Sequence, residues 1–382
     1  MQKGKLNCIV DSAWGSSAKG AASTRLVDIY NINNVSTCNY ANAGHTAIID
    51  GLDGNVKFVA KVVPTSAILH KTKADRFSNL NLFVGPGSGF MIEQFNKELE
   101  QTGYKINDKL VKIHQRAVIM SQRHIDIESP NGSQSTERVS STMSGSGAAF
   151  SEKSMRRPET TLASDVMSTL TPMQFVDTVR RTLSDGHSIM HEVSQGFALS
   201  VNHGTHYPYC TFRDCTPQQA YSDLGILPNM VGDVYLNVRT FPIRVGNNYR
   251  DGKQTGYSGD CMSDQHELTW DQIGREAGMP ESEISVLAEK ERTTVTKKIR
   301  RVFTFSWQLL KESASFCGAT KQILNFPQYI DWSAYQMHGG RTQFNKLPIK
   351  VRKFIDKMEE TAGIPVVMIG TGPNHNDYIF VD

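Results

Sequence analysis

The sequence predicts an α/β protein built on a large, mostly parallel central sheet covered by helices, and three observations predict it. The chain opens with a short apolar run, a small-residue loop carrying a lysine, and then a helical stretch. Apolar runs of strand length recur along the chain. Helical stretches lie between many of those runs, and alternation of this kind is the pattern of a sheet with covering helices.

In order, the first strand is expected over Leu6–Val10, followed by the loop DSAWGSSAKG and a helix over AASTRLVDIY. Further strands are expected at Val35–Tyr40, Leu80–Val84, Ala117–Met120, Ile189–Glu192, Ala319–Asn325 and Pro365–Ile369. Helices are expected at Ile92–Gln101, Thr171–Ser184, Trp307–Ser315 and Leu347–Ala362. Two stretches read as irregular. Residues 129–158 are rich in Ser, Gly, Thr and Arg and predict a mobile surface loop; residues 246–293 predict polar turns and one helix, Glu281–Glu289. Neither reads as a linker, because apolar runs resume at similar spacing on both sides. One elaborated domain over 1–382 is expected.

Composition narrows the partners. The 382 residues carry 41 basic and 38 acidic side chains, a formal net charge of +3, too even for the footprint of a polymeric nucleic-acid binder. Nucleotide monomers need only a few local cations. The apolar stretch in MQKGKLNCIV is too short for a signal core or a membrane span, so a cytoplasmic protein is expected, the host's cytoplasm if the source is viral. The six scattered cysteines lack a disulfide-scaffold pattern and read as reduced thiols. His203, His206, Cys210 and Cys215 offer zinc-type donors within thirteen positions. Without a paired CxxC, and with Tyr207-Pro208-Tyr209 stiffening the segment, they read better as a substrate loop.

Five segments carry residues suited to chemistry. Lys19-Gly20 closes the first loop, where backbone N–H groups and the positive end of a helix favour phosphate. The strict G-x-x-x-x-G-K-[ST] pattern is absent, so a surface lysine remains an alternative on local grounds. Asn42-Ala43-Gly44-His45-Thr46 places an imidazole, the side chain suited to proton donation near neutral pH, beside a glycine carbonyl. Glu192-Val193-Ser194-Gln195-Gly196 leads into Asn202–Tyr209, and the Gln195 amide both donates and accepts, as a base edge requires. The run Thr293–Arg301 puts hydroxyls before cations, which fits a solvated face or a small dicarboxylate. Ile369–Pro373 reads as a backbone wall for a flat ring.

Taken in order, these segments resemble the adenylosuccinate synthetase family along nearly the whole chain. The family's first loop, W/F-G-D-E-G-K-G-K, appears as Trp14-Gly15-Ser16-Ser17-Ala18-Lys19-Gly20-Ala21. The N-A-G-H-T, E-x-x-Q-G, H-G-T and Y-P-Y elements are intact. The second loop is matched by Ser140–Ala149 and then Arg156-Arg157, T-R-V-G by Ile243–Gly246, and S-T-G-P by Gly370–Pro373. The resemblance implies a P-loop-like fold with insertions and a two-stage ligation assisted by Mg²⁺: phosphorylation of a purine 6-oxygen, then displacement of the phosphate by the amine of L-aspartate. It implies that Lys19 holds phosphate, that His45 stabilises charge leaving the triphosphate, and that Gln195 holds the purine near its 6-oxygen. Mg²⁺ would be held at Ser16 and the Gly44 carbonyl. Asn42, Ser141, Thr142, Thr211 and Val245 would position the nucleoside monophosphate, and Arg156 would reach it from a neighbouring subunit, which implies a homodimer. Gly15, Ser17, Ala18, Gly20, Gly44 and Thr46 would surround the triphosphate. Arg300, Asn325, Gln328, Gly370, Gly372 and Pro373 would complete the triphosphate site. Val295, Thr296, Lys298 and Arg300 would hold aspartate, with Lys298 in place of a family arginine.

Three departures shape the expected substrates. Ser16 stands where the family has its catalytic aspartate, and a protonated hydroxyl neither accepts the N1 proton well nor binds Mg²⁺ strongly. The smaller side chain leaves room for a 2-amino group and resembles the bacteriophage branch of the family that acts on dGMP; bound aspartate or Asp11 would then take the proton. Gln328 stands for the aspartate of T-K-L-D that reads guanine, and an amide suits the adenine edge, so ATP or dATP is expected in place of GTP. Ser144 replaces an arginine, with no consequence legible in the sequence. The competing expectations are an inosinate-specific synthetase, a non-catalytic nucleotide-binding regulator, and a zinc-dependent purine hydrolase.

Overall fold

The computed structural model describes residues 1–51, 54–105, 107–293 and 297–381. Its centre is a nine-stranded sheet formed by β1 (Leu6–Asp11), β2 (Asn34–Thr37), β3 (Asn81–Val84), β4 (Val111–Ile113), β5 (Ile189–Glu192), β6 (Val231–Arg239), β7 (Lys321–Asn325), β8 (Val366–Gly370) and β9 (Tyr378–Phe380). The order across the sheet is β9-β8-β7-β6-β1-β5-β2-β3-β4, and every neighbouring pair is parallel except β8 and β9.

Side chains alternate across β1 and enter two separate cores. Leu6, Cys8 and Val10 pack with Phe175, Leu183, Leu309 and Ile355 from the helices Pro172–Ser184, Trp307–Cys317 and Ile349–Ala362. Ile9 packs on the other face with Ala22, Leu26 and Val27 of α1 (Lys19–Ile29) and with Leu69 and Phe95. Both faces are therefore covered, which is why the central strands are buried along their whole length. Local chemistry sets the helix starts. Thr171 accepts from the Gln174 amide at 3.3 Å, Gln174 returns a bond to the Thr171 amide at 3.0 Å, and Pro172 occupies the first turn.

The α/β expectation holds, with local differences. The strand β6, not among the expected strands, lies beside β1; Val234, Tyr235, Leu236 and Val238 are buried in it, and so are Asp233, Asn237 and Arg239. Ala117–Met120 contributes only Val118–Ile119, paired with Gly89–Phe90 outside the main sheet. Within 129–158, expected as a loop, residues Ser146–Ser154 form a helix. Its small residues pack closely enough for Gly145 and Ala148 amides to reach Glu128, at 2.7 and 2.9 Å. The 246–293 stretch holds two helices, Trp270–Glu276 and Glu281–Lys290, where one was expected, and a hairpin, Asn248–Arg250 with Lys253–Gly256. The helix Trp270–Glu276 begins on a Thr269–Gln272 capping box. Among the described residues no helix is long and apolar enough to cross a membrane.

Candidate active site

Ligands of open α/β sheets bind beyond the carboxyl ends of the strands, where the strand order reverses. Here a cleft of about 840 Å³ lies at that edge. Asp11 ends β1 and residues 14–20 follow it, residues 42–46 follow β2, Gln195 follows β5, Arg239 ends β6, Phe326 and Gln328 follow β7, and Gly372 and Pro373 follow β8; all line it.

The loop between β1 and α1 is fastened from below. One oxygen of Asp11, Oδ1, accepts from the Ala13 amide at 2.7 Å and the Gly15 amide at 3.2 Å. From β6, Asn237 Nδ2 donates to the Ser17 carbonyl at 2.8 Å, and an Arg239 guanidinium N–H donates to the Ser16 carbonyl at 2.7 Å. Ser16 and Ala18 are held at φ 56° and 62°, left-handed conformations that cost a side-chain-bearing residue about 1–2 kcal/mol each. Such strain persists only where surrounding contacts impose it. At Gly20 a side chain is excluded, because a Cβ would lie 2.8 Å from Thr65 Cγ2.

Lys19 is buried, and its ammonium donates to the Gln195 carbonyl. Burial pushes its pKa down, while the nearby Asp11 and Glu192 carboxylates oppose the shift. His45 begins the hairpin His45–Gly51 with Gly54–Ala60, and its Nδ1 donates to Glu192 Oε1. The other Glu192 oxygen accepts from Thr65 N at 3.2 Å and Thr65 Oγ1 at 2.9 Å. Burial alone would raise the Glu192 pKa, but His45, Thr65 and Lys19 together hold it below the usual carboxylate range. With Nδ1 committed to a buried carboxylate, the imidazole is oriented and Nε2 is the nitrogen left for a ligand.

On the opposite wall, Asn42 Nδ2 donates to Thr211 Oγ1 at 3.3 Å, and Ser141, Thr142 and Val245 line the cleft. Ser144 bonds Thr142 Oγ1 at 3.2 Å and Ser146 Oγ at 3.0 Å, a hydroxyl chain at the start of the helix Ser146–Ser154. Arg156 is exposed at φ 56° and does not line the cleft.

The distal end is aromatic. Phe326, Tyr329, Trp332 and Tyr335 line it with Gly372 and Pro373. Gln328 is buried among them, and its Oε1 has no hydrogen-bond partner. A Cβ on Gly372 would meet Asp377 Oδ2 at 2.5 Å, so this wall requires a bare backbone. Asn325 and Gly370 sit behind it; Asn325 Nδ2 donates to Asn237 Oδ1 at 2.9 Å.

Of the expected aspartate residues, the two that are described line different cavities. Arg300 lines the main cleft and pairs with Glu291 at 3.0 Å, while Lys298 lines a second, more open cavity and donates to Asn248 Oδ1. Val295 and Thr296 lie outside the described residues. His203 packs tilted against Phe316, with ring centres 4.4 Å apart, His206 Nδ1 bonds Thr205 Oγ1 at 2.8 Å, and among the described residues no group of three His, Cys, Asp or Glu side chains is placed to hold a metal.

Sequence reasoning missed three charged groups. Glu291 is buried between Arg239 at 2.6 Å and Arg300, and accepts from Tyr329 Oη at 2.7 Å. Arg239 lies 4.1 Å from the Phe326 ring centre, so this network joins the first loop to the aromatic end. Arg244 stacks 4.4 Å from the Trp14 ring centre and donates to the carbonyls of Ser258, Asp260 and Tyr209. Burial and the neighbouring Arg301 lower its pKa to about 10. The I-R-V-G element contains Arg244, but nothing in the sequence links Arg239 to Glu291.

A family model described as adenylosuccinate synthetase matches residues 8–170 and 158–331. The chain belongs to the adenylosuccinate synthetase family. It is 32% identical over 354 residues to an N6-succino-2-amino-2'-deoxyadenylate synthase of Acinetobacter phage SH-Ab 15497, covering 85% of this chain and 84% of that relative. It is 31% identical over 373 residues to an adenylosuccinate synthetase of Pyrococcus horikoshii, covering 96% and 95%. Among solved structures, the succinoaminodeoxyadenylate synthetase of cyanophage S-2L, bound to dGMP and to dATP as an energy donor, superposes with a TM-score of 0.76. That pair shares 28% identity over 98% of this chain and 95% of the other. The chain is therefore a C–N ligase of the kind that joins a purine nucleotide to an amino acid.

Proposed function

We propose that this cleft condenses dGMP with L-aspartate, using ATP or dATP, to give N6-succino-2-amino-2'-deoxyadenylate through a 6-phosphoryl intermediate. The observation that carries the reading is Ser16. It stands in the cleft where the family has a carboxylate, in a loop otherwise fastened for phosphate, and its small hydroxyl leaves space for and can accept from a 2-amino group. The phage relatives named for the 2-aminoadenine route support the same substrate.

Lys19 and the amides at the start of α1 would hold the triphosphate, and the oriented His45 would stabilise charge on its departing end. Gln195 would hold the purine at its 6-edge, with Asn42, Ser141, Thr142, Thr211 and Val245 around the monophosphate. The oxygen donors at Ser16 and the Gly44 carbonyl suit Mg²⁺, a hard cation that binds chiefly through substrate phosphates and few protein oxygens. When bound, the ion would neutralise charge on the transferring phosphoryl group. Gln328 supports ATP or dATP: its unpartnered Oε1 can accept from the adenine 6-amine while its amide donates to N1. Lys298 and Arg300, with Val295 and Thr296, would close on aspartate. An exposed Arg156 suits a homodimer in which Arg156 of the partner subunit reaches the monophosphate. The setting is the cytoplasm of an infected host.

The test is phosphate release with aspartate and Mg²⁺, crossing dGMP, GMP and IMP against ATP, dATP and GTP. Turnover is expected with dGMP and either adenine nucleotide. Preference for IMP would return the chain to the adenylate-forming branch, and a lower KM for GTP than for ATP would remove Gln328 as the adenine reader.

A further inference from the structure

The replacement at Ser16 leaves the reaction without its usual proton acceptor. Four carboxylates line the cleft: Glu128 and Glu291 have both oxygens bonded, Glu283 pairs with Lys290, and Asp11 stands beside the first loop. Asp11 ends β1, lines the cleft, and is only 1% exposed. Its two oxygens have different fates. Oδ1 is held by the Ala13 and Gly15 amides, at 2.7 and 3.2 Å, which fixes the carboxylate plane. Oδ2 is buried with no hydrogen-bond partner. A free carboxylate oxygen shielded from water is costly unless a ligand completes it. A Cβ built on Gly196 would lie 2.6 Å from Asp11 Oδ1, so Asp11 packs against the backbone next to Gln195, the residue proposed above to hold the purine 6-edge. The Lys19 ammonium lies close enough to interact with the carboxylate.

We infer that Asp11 Oδ2 is the proton acceptor for guanine N1 in the phosphorylation step, standing in for the carboxylate absent at Ser16. The inference rests on the dGMP reading above. As the N1–H bond breaks, the proton passes to Oδ2 and the electron pair forms the N1–C6 double bond. The C6–O6 π pair forms the bond from O6 to the γ-phosphorus, and the bridging P–O bond breaks with its pair leaving on ADP. Aspartate's neutral amine then forms the C6–N bond as C6–O6 breaks, the departing phosphate takes the proton that the amine sheds, and the proton on Asp11 is lost to solvent with the products.

Asp11→Asn separates this role from a purely structural one, because it keeps an oxygen for the two loop amides and removes the basic oxygen. The measurements are kcat with dGMP, ATP and aspartate, and ATP β,γ-bridge positional isotope exchange without aspartate, which reads phosphorylation alone. Both are expected to fall about 10²–10⁴-fold, with the Kd of dGMP and of ATP little changed. Retained kcat and exchange overturn the inference. Loss of nucleotide binding in parallel would make Asp11 a loop clamp only, and full recovery at saturating Mn²⁺ would make it a metal ligand; either outcome also overturns it. If the wild-type enzyme does not turn over dGMP, the functional reading has failed before the variant is considered.

Discussion

The two sides of the cleft are built differently. The side proposed for phosphate is fastened by contacts within the protein: Asp11, Asn237 and Arg239 hold the first loop, and Glu192 binds His45 and Thr65 at once. On the side proposed for aspartate, Arg300 is held by Glu291 in the main cleft and Lys298 donates to Asn248 in another cavity. The difference follows the chemistry. Phosphoryl transfer depends on dipoles and charges set in advance, whereas the amine needs to arrive only after the 6-oxygen is activated.

Three perturbations probe that contrast, from the largest expected effect to the smallest. His45→Asn removes the oriented imidazole, and kcat should fall about 10²–10⁴-fold with the KM for aspartate little changed; steady-state kinetics of phosphate release reads both. A rise in aspartate KM alone would mean the two sides are not separate. Glu291→Gln leaves Arg239 and Arg300 without their buried carboxylate, and breaking such a pair destabilises by about 3–5 kcal/mol. Urea unfolding should show that loss, and because Arg239 also holds the Ser16 carbonyl, ATP binding should weaken with it. Unchanged ATP affinity would mean the network does not reach the first loop.

The third perturbation is acid. His191 lies in β5 next to Glu192, bonds Ser36 Oγ at 2.9 Å, and is held near a pKa of about 4 because burial disfavours its charged form. A histidine whose folded pKa is depressed contributes stability that is complete above its unfolded value, near 6.5, and is lost as pH falls toward 4. Unfolding free energy should therefore drop by about 2 kcal/mol from this residue between pH 7 and 5. His191→Asn should remove that part of the slope, and an unchanged slope would place the acid sensitivity elsewhere.

What the sequence made legible divides along similar lines. The segments proposed for phosphate are short and in fixed order, and Trp14–Ala21, Asn42–Thr46 and Glu192–Gly196 each follow an expected strand toward the one cleft. The strand β6 escaped notice although Val234-Tyr235-Leu236 and Val238 are apolar, because the polar residues Asp233, Asn237 and Arg239 interrupt and flank that short run; two of them secure the first loop. The helix Ser146–Ser154 is composed of small and polar residues that also suit a loop, and only its packing against Glu128 decides the matter. Glu291 joins Arg239 and Arg300 across 52 and 9 positions, a relation that exists only after folding.

The most direct test follows the oxygen. With dGMP labelled with ¹⁸O at its 6-position, ATP, aspartate and Mg²⁺, the released phosphate should carry the label from each molecule converted, and the nucleotide product should lose it. Unlabelled phosphate, or phosphate released without succinylated product, would contradict activation of the 6-oxygen in this cleft.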